Sequence, residues 1–198
     1  MFRIANSLSR AVVLLVLCGG IASAQAVLKP PFGLSWGDSP EKLIGWAKKH
    51  NLNVTITMPG NQDGLSLLRI YSEEGFLPNH QASALEGRFL GGRLYEMTVD
   101  YSDPKARADQ MEVRFQGLKR QITRQYGDLK ANQQKRTVAD QFVTRTQSFH
   151  REPVKGLFLL LAFTEVEDLL RKSKSCKFSL IYRNDNYRKA LVKALEQP

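Results

Sequence analysis

One amphipathic segment, Asp103 to Gly127, most constrains what this chain can fold into. Its apolar residues recur at intervals of three and four, the spacing that places side chains on one face of a helix: Met111, Phe115, Leu118, Ile122 and Tyr126. Pro104 and Gly127 predict its two ends, since proline suits the first helical position and glycine closes a helix. At about 1.5 Å per residue, the helix would be roughly 35 Å long. The sequence therefore predicts a long helix that packs on a sheet through one apolar stripe.

Strand-like segments precede this helix. A shorter helix is predicted from Pro40 to about Asn51, with Asp38 and Ser39 as capping residues. Alternating apolar and polar residues then predict four strands, over 52–58, 65–72, 85–89 and 95–101. Gly91-Gly92 can supply the tight turn between the last two, which would form a hairpin.

Further strands are predicted after the long helix. Residues 128–136 are interpreted as a polar linker, and strands are predicted over 138–150, 157–163 and 176–182. The strand at 138–150 is polar enough to lie at a sheet edge or with one face in water. Residues 157–163 are unbroken apolar sequence, which favours a strand buried on both faces, with a short buried helix as the alternative. A terminal helix is expected after Asn184 or Asp185.

These elements predict an α+β fold. Helices would pack on one face of an antiparallel sheet, in the order helix, about four strands, long helix, about three strands, helix. Residues 25–198 would form a single domain. The two halves are similar in plan, but no repeat of individual residues supports a duplication.

The first residues have the features of an export signal. Arg3 and Arg10 supply positive charge, residues 11–17 form an apolar run, and Ala22-Ser23-Ala24 is a small-residue cleavage site. Residues 1–24 are predicted to be a cleaved signal peptide, or 1–26 if the second acceptable site is used. Lipidation at Cys18 is the alternative, although Leu17 stands where bacterial lipoproteins usually carry a small residue. The expected location is periplasmic or secreted, with no transmembrane segment.

Positive charge is concentrated in the second half of the chain. Residues 25–103 carry seven basic and nine acidic side chains, whereas residues 104–198 carry 20 and 10. A basic half attracts polyanions through its summed field. The candidate polyanion-binding residues fall off the apolar stripe of the long helix: Arg114, Lys119, Arg120 and Arg124. For an exported chain this favours anionic lipid, polysaccharide or an acidic protein over nucleic acid, and a solvated surface is the simpler alternative.

Possible catalytic motifs are few. Gly33-Leu34-Ser35-Trp36-Gly37 matches the nucleophile elbow of α/β hydrolases, but Pro30 and Pro31 occupy the place of the strand that must precede the serine. The histidines, His50, His80 and His150, have no metal-ligand spacing among themselves. We therefore predict no catalytic, metal or cofactor site.

Two other groups of residues have a structural interpretation. Cys176 shares a predicted strand face with apolar residues, which favours an inert thiol over a reactive one. The acidic group Glu165, Glu167 and Asp168 is expected to balance the nearby cations of a turn: Arg171, Lys172 and Lys174. A general-acid pair among these carboxylates is the alternative.

The segment Trp36 to Leu43 resembles a helix entry found in small bacterial envelope proteins. It is similar to the Gly-x-Ser/Thr-x-Glu-x-Val entry of the outer-membrane assembly lipoprotein BamE and of β-lactamase inhibitory proteins. This resemblance implies helices packed on an antiparallel sheet and a function in binding other proteins. It covers one helix start and assigns no functional residue.

These observations favour an exported, non-catalytic domain that binds an envelope or extracellular partner, a protein or another envelope component. Two alternatives are a small secreted hydrolase whose site is assembled only in the fold, and a polyanion-binding protein that uses the basic half.

Overall fold

The computed structural model describes residues 28–60, 63–73, 75–78 and 80–196. The predicted signal peptide, both of its cleavage sites and Cys18 lie outside these residues.

A single antiparallel sheet of eight strands is accompanied by three helices. The helices are α1 (Pro40–Lys49), α2 (Ala108–Tyr126) and α3 (Asp185–Leu195). The strands are β1 (Asn53–Thr57), β2 (Leu65–Tyr71), β3 (Ala84–Leu90), β4 (Arg93–Ser102), β5 (Lys130–Ala139), β6 (Phe142–Val154), β7 (Leu157–Asp168) and β8 (Ser173–Asn184). Their order in the sheet is β1-β2-β3-β4-β8-β7-β6-β5, so two four-stranded meanders meet where β4 pairs with β8. The predicted antiparallel sheet is confirmed.

Helices α1 and α2 cover the same face of this sheet. Leu43 of α1 lies over Gly87 of β3, and a methyl group added to Gly87 would be 2.9 Å from the Leu43 side chain. Gly87 pairs with Met97, and Met97 pairs with Tyr182, so all three are on one face. Tyr182 packs against the core beneath each helix. We call this side the helix-covered face, and the opposite side the open face.

The apolar stripe of α2 forms the second half of the core. Phe115 is completely buried, and its ring centroid lies 4.9 Å from that of Phe163 and 5.8 Å from that of Phe178. Met111, Ile122 and Tyr126 are buried with it. The helix begins at Ala108 rather than at Pro104, because Asp103 instead forms a turn in which its Oδ1 accepts from the Lys105 backbone N–H. Gly127 ends the helix with a positive φ of 87°, as predicted.

The predicted α+β arrangement is wrong in two respects. Residues 128–136, interpreted as a linker, contain most of strand β5, so four strands rather than three follow α2. The third helix does not pack on the sheet face: α3 has no buried residue and lies across the ends of β7, β4 and β3. Along this path Asn186 abuts Gly156, Tyr187 abuts Gly37 and Leu195 contacts Gly91.

Strand β7 is also buried differently from the prediction. Leu159, Leu161 and Phe163 are buried beneath α2, whereas Phe158 and Leu160 point to the open face and are only half-buried. An unbroken apolar run therefore does not mark a strand covered on both sides here. None of the helices in the described part of the chain has the length and apolarity needed to cross a bilayer.

Candidate functional site

The open face of the sheet presents a continuous charged surface. Strand pairing places Arg88, Glu96 and Arg183 in one row across β3, β4 and β8. A neighbouring row contains Arg69 and Glu86, followed by Thr98 of β4 and Ile181 of β8. Side chains alternate between the two faces of a sheet along each strand. The residues in these rows are those that point away from the helices.

Ion pairs link these residues across strands. Arg69 lies 3.0 Å from Asp100 and 3.8 Å from Glu86, measured between side-chain nitrogen and oxygen atoms. The Arg88 Nε lies 3.3 Å from Glu86 and 3.1 Å from Glu96. Each carboxylate in this group thus has an arginine partner from another position in the sheet. The network holds long side chains in a defined geometry.

Glu96 is the most buried carboxylate of this network. The residue is 8% exposed and also lies 3.8 Å from Arg183, whose Nε is 2.6 Å from Asp185 at the start of α3. Burial raises the pKa of Glu96, because desolvation of the carboxylate outweighs its attraction to Arg88 and Arg183. Through Arg183, Glu96 therefore links the open face to α3. Its burial makes the ionised carboxylate less favourable than it would be in water.

The raised pKa predicts a pH effect on stability. The folded state holds the Glu96 proton more tightly than the unfolded state, whose pKa is near the ordinary 4.5. The stabilisation that comes from this tighter proton binding is complete below that value. It is lost as the pH rises through the pKa of Glu96 in the folded state. The unfolding free energy of the wild type, minus that of Glu96→Gln, should therefore fall as the pH rises from 4.5. Urea denaturation of both proteins at a series of pH values measures this difference in unfolding free energy.

Glu41 provides a control of opposite sign. A hydrogen bond with Ser39 lowers the pKa of this exposed carboxyl, so the corresponding difference for Glu41→Gln should rise with pH. A rising difference for Glu96→Gln as well would show that the arginines dominate the environment of Glu96.

A polar depression of about 430 Å³ lies beside this network. Small residues form its floor, because Ser179 of β8 pairs with Ala162 of β7. Arg69, Asp100 and Lys177 contribute charge around it. Lys177 is exposed and has no ion-pair partner among the described residues. The depression thus offers one unneutralised ammonium group next to hydroxyl and methyl groups.

Apolar side chains occupy the adjoining part of the open face. Phe158, Leu160 and Ile181 are half-buried on β7 and β8. The Arg183 guanidinium lies 4.7 Å from the centroid of the Phe158 ring, which also stacks with His150 at 5.9 Å. The Nδ1 atom of His150 is buried and has no hydrogen-bond partner in the described structure. Apolar and charged groups therefore meet within one continuous surface.

The four predicted polyanion-binding residues do not form one site. Arg114 pairs with Asp103 at 3.0 Å, and the Lys119 ammonium lies 3.5 Å from the centroid of the Phe149 ring on another side of α2. Arg120 and Arg124 are exposed together on the outer surface of the helix. Polyanion binding stays a prediction, with these two residues as its nearest pair.

The other candidate residues have local partners. The Ser35 backbone N–H donates to Asp38 in the turn before α1. The rings of His50 and His80 pack at a tilt against those of Trp46 and Phe32, respectively. Across the described ranges no hydrogen bond joins a histidine to a carboxylate, and no three His, Cys, Asp or Glu side chains converge as a metal site.

Cys176 and the acidic group have structural surroundings. Burial raises the pKa of the Cys176 thiol to about 11, so the thiol is protonated at neutral pH, in keeping with an inert residue. Glu165 and Glu167 pair with Arg145 and Lys174. Arg145, on β6, was absent from the predicted set of partners.

No family model matches the sequence, and no curated protein or solved structure is significantly similar to it.

Proposed function

We propose that the chain is an exported binding domain whose open face binds an acidic surface of a protein in the envelope or extracellular space. The observation that carries this proposal is Lys177, which no described carboxylate pairs with, beside a neutralised ion network and half-buried apolar residues. Eight strands spaced by about 4.8 Å make a surface roughly 34 Å wide. This width is compatible with the ~800 Å² that each partner buries in a standard protein interface.

The charge of the open face favours an acidic partner. Four basic residues of β2, β3 and β8 accompany three carboxylates of β3 and β4 there: Arg69, Arg88, Lys177 and Arg183 with Glu86, Glu96 and Asp100. At the edge, Lys135 of β5 pairs with Thr146 and adds a further cation. Complementary charge increases the rate of association and selects among partners more than it adds affinity.

The composition of the face also suits a protein partner. Arginine and aromatic residues are enriched where protein interfaces have their largest binding energies, and Arg183 with Phe158 supplies such a pair. Because the arginines are already held by carboxylates, little side-chain freedom would be lost on binding. The resemblance of the segment before α1 to protein-binding envelope proteins points in the same direction.

A charge reversal at Lys177 tests this function. Lys177→Glu should weaken binding of a partner by about tenfold or more, with little effect on folding because the side chain is exposed. Proteins captured from envelope extracts by the wild type, but lost with this variant, would be purified and their Kd measured at several salt concentrations.

Lys49→Glu is the matched control, because Lys49 is an exposed lysine on α1, which covers the opposite side of the sheet. A purified partner whose Kd changes equally in the two variants would place binding elsewhere and defeat the open-face proposal.

A further inference from the structure

Four large exposed apolar residues lie in or beside the two turns at one end of the sheet. They are Val138 (54% exposed), Phe142 (41%), Leu169 (50%) and Leu170 (74%). Phe142 pairs with Asp168, the residue before the two leucines. The Leu169 backbone N–H donates to the Gln141 carbonyl oxygen at 2.9 Å, which joins the β5–β6 turn to the β7–β8 turn. We call residues 138–142 and 169–172 the hairpin tip.

The exposure of the leucines is built into the turn. The buried Asp168 carboxylate accepts hydrogen bonds from the backbone N–H groups of Leu170 and Arg171, at 3.0 and 3.1 Å. An aspartate that binds the backbone two and three residues ahead fixes the path of a turn. Leu170 is therefore held outward by a hydrogen-bonded loop. Exposed apolar residues at one end of a sheet are a candidate interaction surface.

Cations accompany these apolar groups. Arg171 and Lys172 follow Leu170 directly and are exposed, and only Asp168, 3.7 Å from the Arg171 Nε, pairs with either of them in the described structure. Within the tip itself, Asp140 of the β5–β6 turn is the acidic residue. Nearby, Glu165 and Glu167 are engaged by Arg145 and Lys174. The outermost turn thus combines two leucines with two cations.

We propose that the hairpin tip binds an anionic lipid surface. Leu169, Leu170 and Phe142 enter the region between lipid headgroups and hydrocarbon, while Arg171 and Lys172 contact lipid phosphates. Apolar insertion and electrostatic attraction to anionic lipids are the two contributions that hold a protein at a membrane surface. The hairpin tip contains none of the open-face residues that carry the proposed function, and neither proposal depends on the other.

The size and position of the tip favour lipid over a protein partner. It consists of two turns at the end of two hairpins, which is small against the ~800 Å² that a stable protein interface buries on each side. A projecting apolar end needs no matching pocket in order to enter a bilayer surface. Moving one leucine side chain from water into an apolar environment increases the constant for binding to that environment by roughly tenfold or more.

Vesicle sedimentation of the purified protein tests the proposal. The wild type should bind vesicles of equal parts phosphatidylcholine and phosphatidylglycerol, and bind much more weakly to phosphatidylcholine alone or at high salt. Leu169→Ser with Leu170→Ser should weaken binding by at least about tenfold. Arg171→Ser with Lys172→Ser should weaken it on the anionic vesicles only. Thermal unfolding of each variant verifies that it folds.

Matched controls use exposed residues outside the tip. Met58→Ser with Val113→Ser removes two exposed apolar side chains, and Lys48→Ser with Lys49→Ser removes two exposed cations of α1. Both controls should bind vesicles like the wild type. As a second readout, Leu170→Trp should shift its emission to the blue on the anionic vesicles.

Three results would overturn the proposal. The first is no sedimentation of the wild type with the anionic vesicles. The second is an equal loss of binding in the tip variants and the controls, because binding would then not depend on the tip. The third is self-association of the wild type that the leucine variant abolishes, because the tip would then contact a second copy of the chain.

Discussion

Replacing Phe115 by alanine should lower the free energy of unfolding by about 3–5 kcal/mol. The ring is completely buried and lies between α2 and the sheet, in contact with the rings of Phe163, Phe178 and Phe149. Its removal loses the transfer free energy of the side chain and leaves a cavity that rigid neighbours on β7 and β8 cannot fill. Chemical denaturation measures the loss.

Val113→Ala is the matched control for this change, because Val113 belongs to the same helix but is exposed. Its effect should stay within about 0.5 kcal/mol. If Phe115→Ala cost no more than the control, α2 would not hold the second half of the core.

Gly87→Val should destabilise the protein by about 2–3 kcal/mol through overpacking. A Cβ atom at this position would be 2.9 Å from Leu43 on α1 and 2.9 Å from the Phe89 ring. The larger branched side chain must therefore push α1 away from β3 or force both neighbours from their rotamers. Thermal and urea denaturation report the loss of stability.

Gly117 offers a comparison in which added volume meets no neighbour. Apart from the backbone of its own helix and its chain neighbours, no atom of the described structure lies within 4 Å of a Cβ built at this position. Gly117→Ala should therefore stabilise the protein by roughly 0.5–1 kcal/mol, since alanine is the better helix former. A neutral result for Gly87→Val would show that α1 can move away from the sheet at little cost.

Periodicity in the sequence predicted those elements that bury one face. The stripe through Met111, Phe115 and Ile122 identified α2, and Gly91-Gly92 identified the turn between β3 and β4. The start of α2 was placed too early, because Asp103 and Pro104 can signal either a helix cap or a separate turn. Local sequence does not distinguish these alternatives, whereas the contact of Arg114 with Asp103 belongs to the folded helix.

Strand β5 could not be found from apolar periodicity. All ten of its residues are exposed, so it buries no side chain whose spacing could reveal it. It is an edge strand that carries lysine and arginine, which discourage pairing with other chains. Its place in the sheet comes from backbone pairing with β6. The side chains of the sequence give no sign of that pairing.

The open face was missed because its contacts join distant parts of the chain. Arg69 meets Asp100, and Glu96 meets Arg183, only once β2, β4 and β8 have taken their registers. In the sequence, each of these residues is only a polar position in a strand of alternating apolar and polar residues. The hairpin tip was missed for a related reason, since Leu169 and Leu170 follow an acidic group that the sequence assigned to a solvated turn.

The pairing of β4 with β8 has a consequence for how the protein folds. Met97 and Tyr182 belong to neighbouring strands, although α2 and three other strands separate them in the chain. Until β8 is available, β4 is an unprotected edge whose alternate residues are apolar. Contacts between such distant segments slow folding, because the entropy of closing the loop is lost before the contacts form. The β4 edge of the first meander therefore stays open until nearly the whole chain is present, and an open apolar edge favours aggregation during that interval.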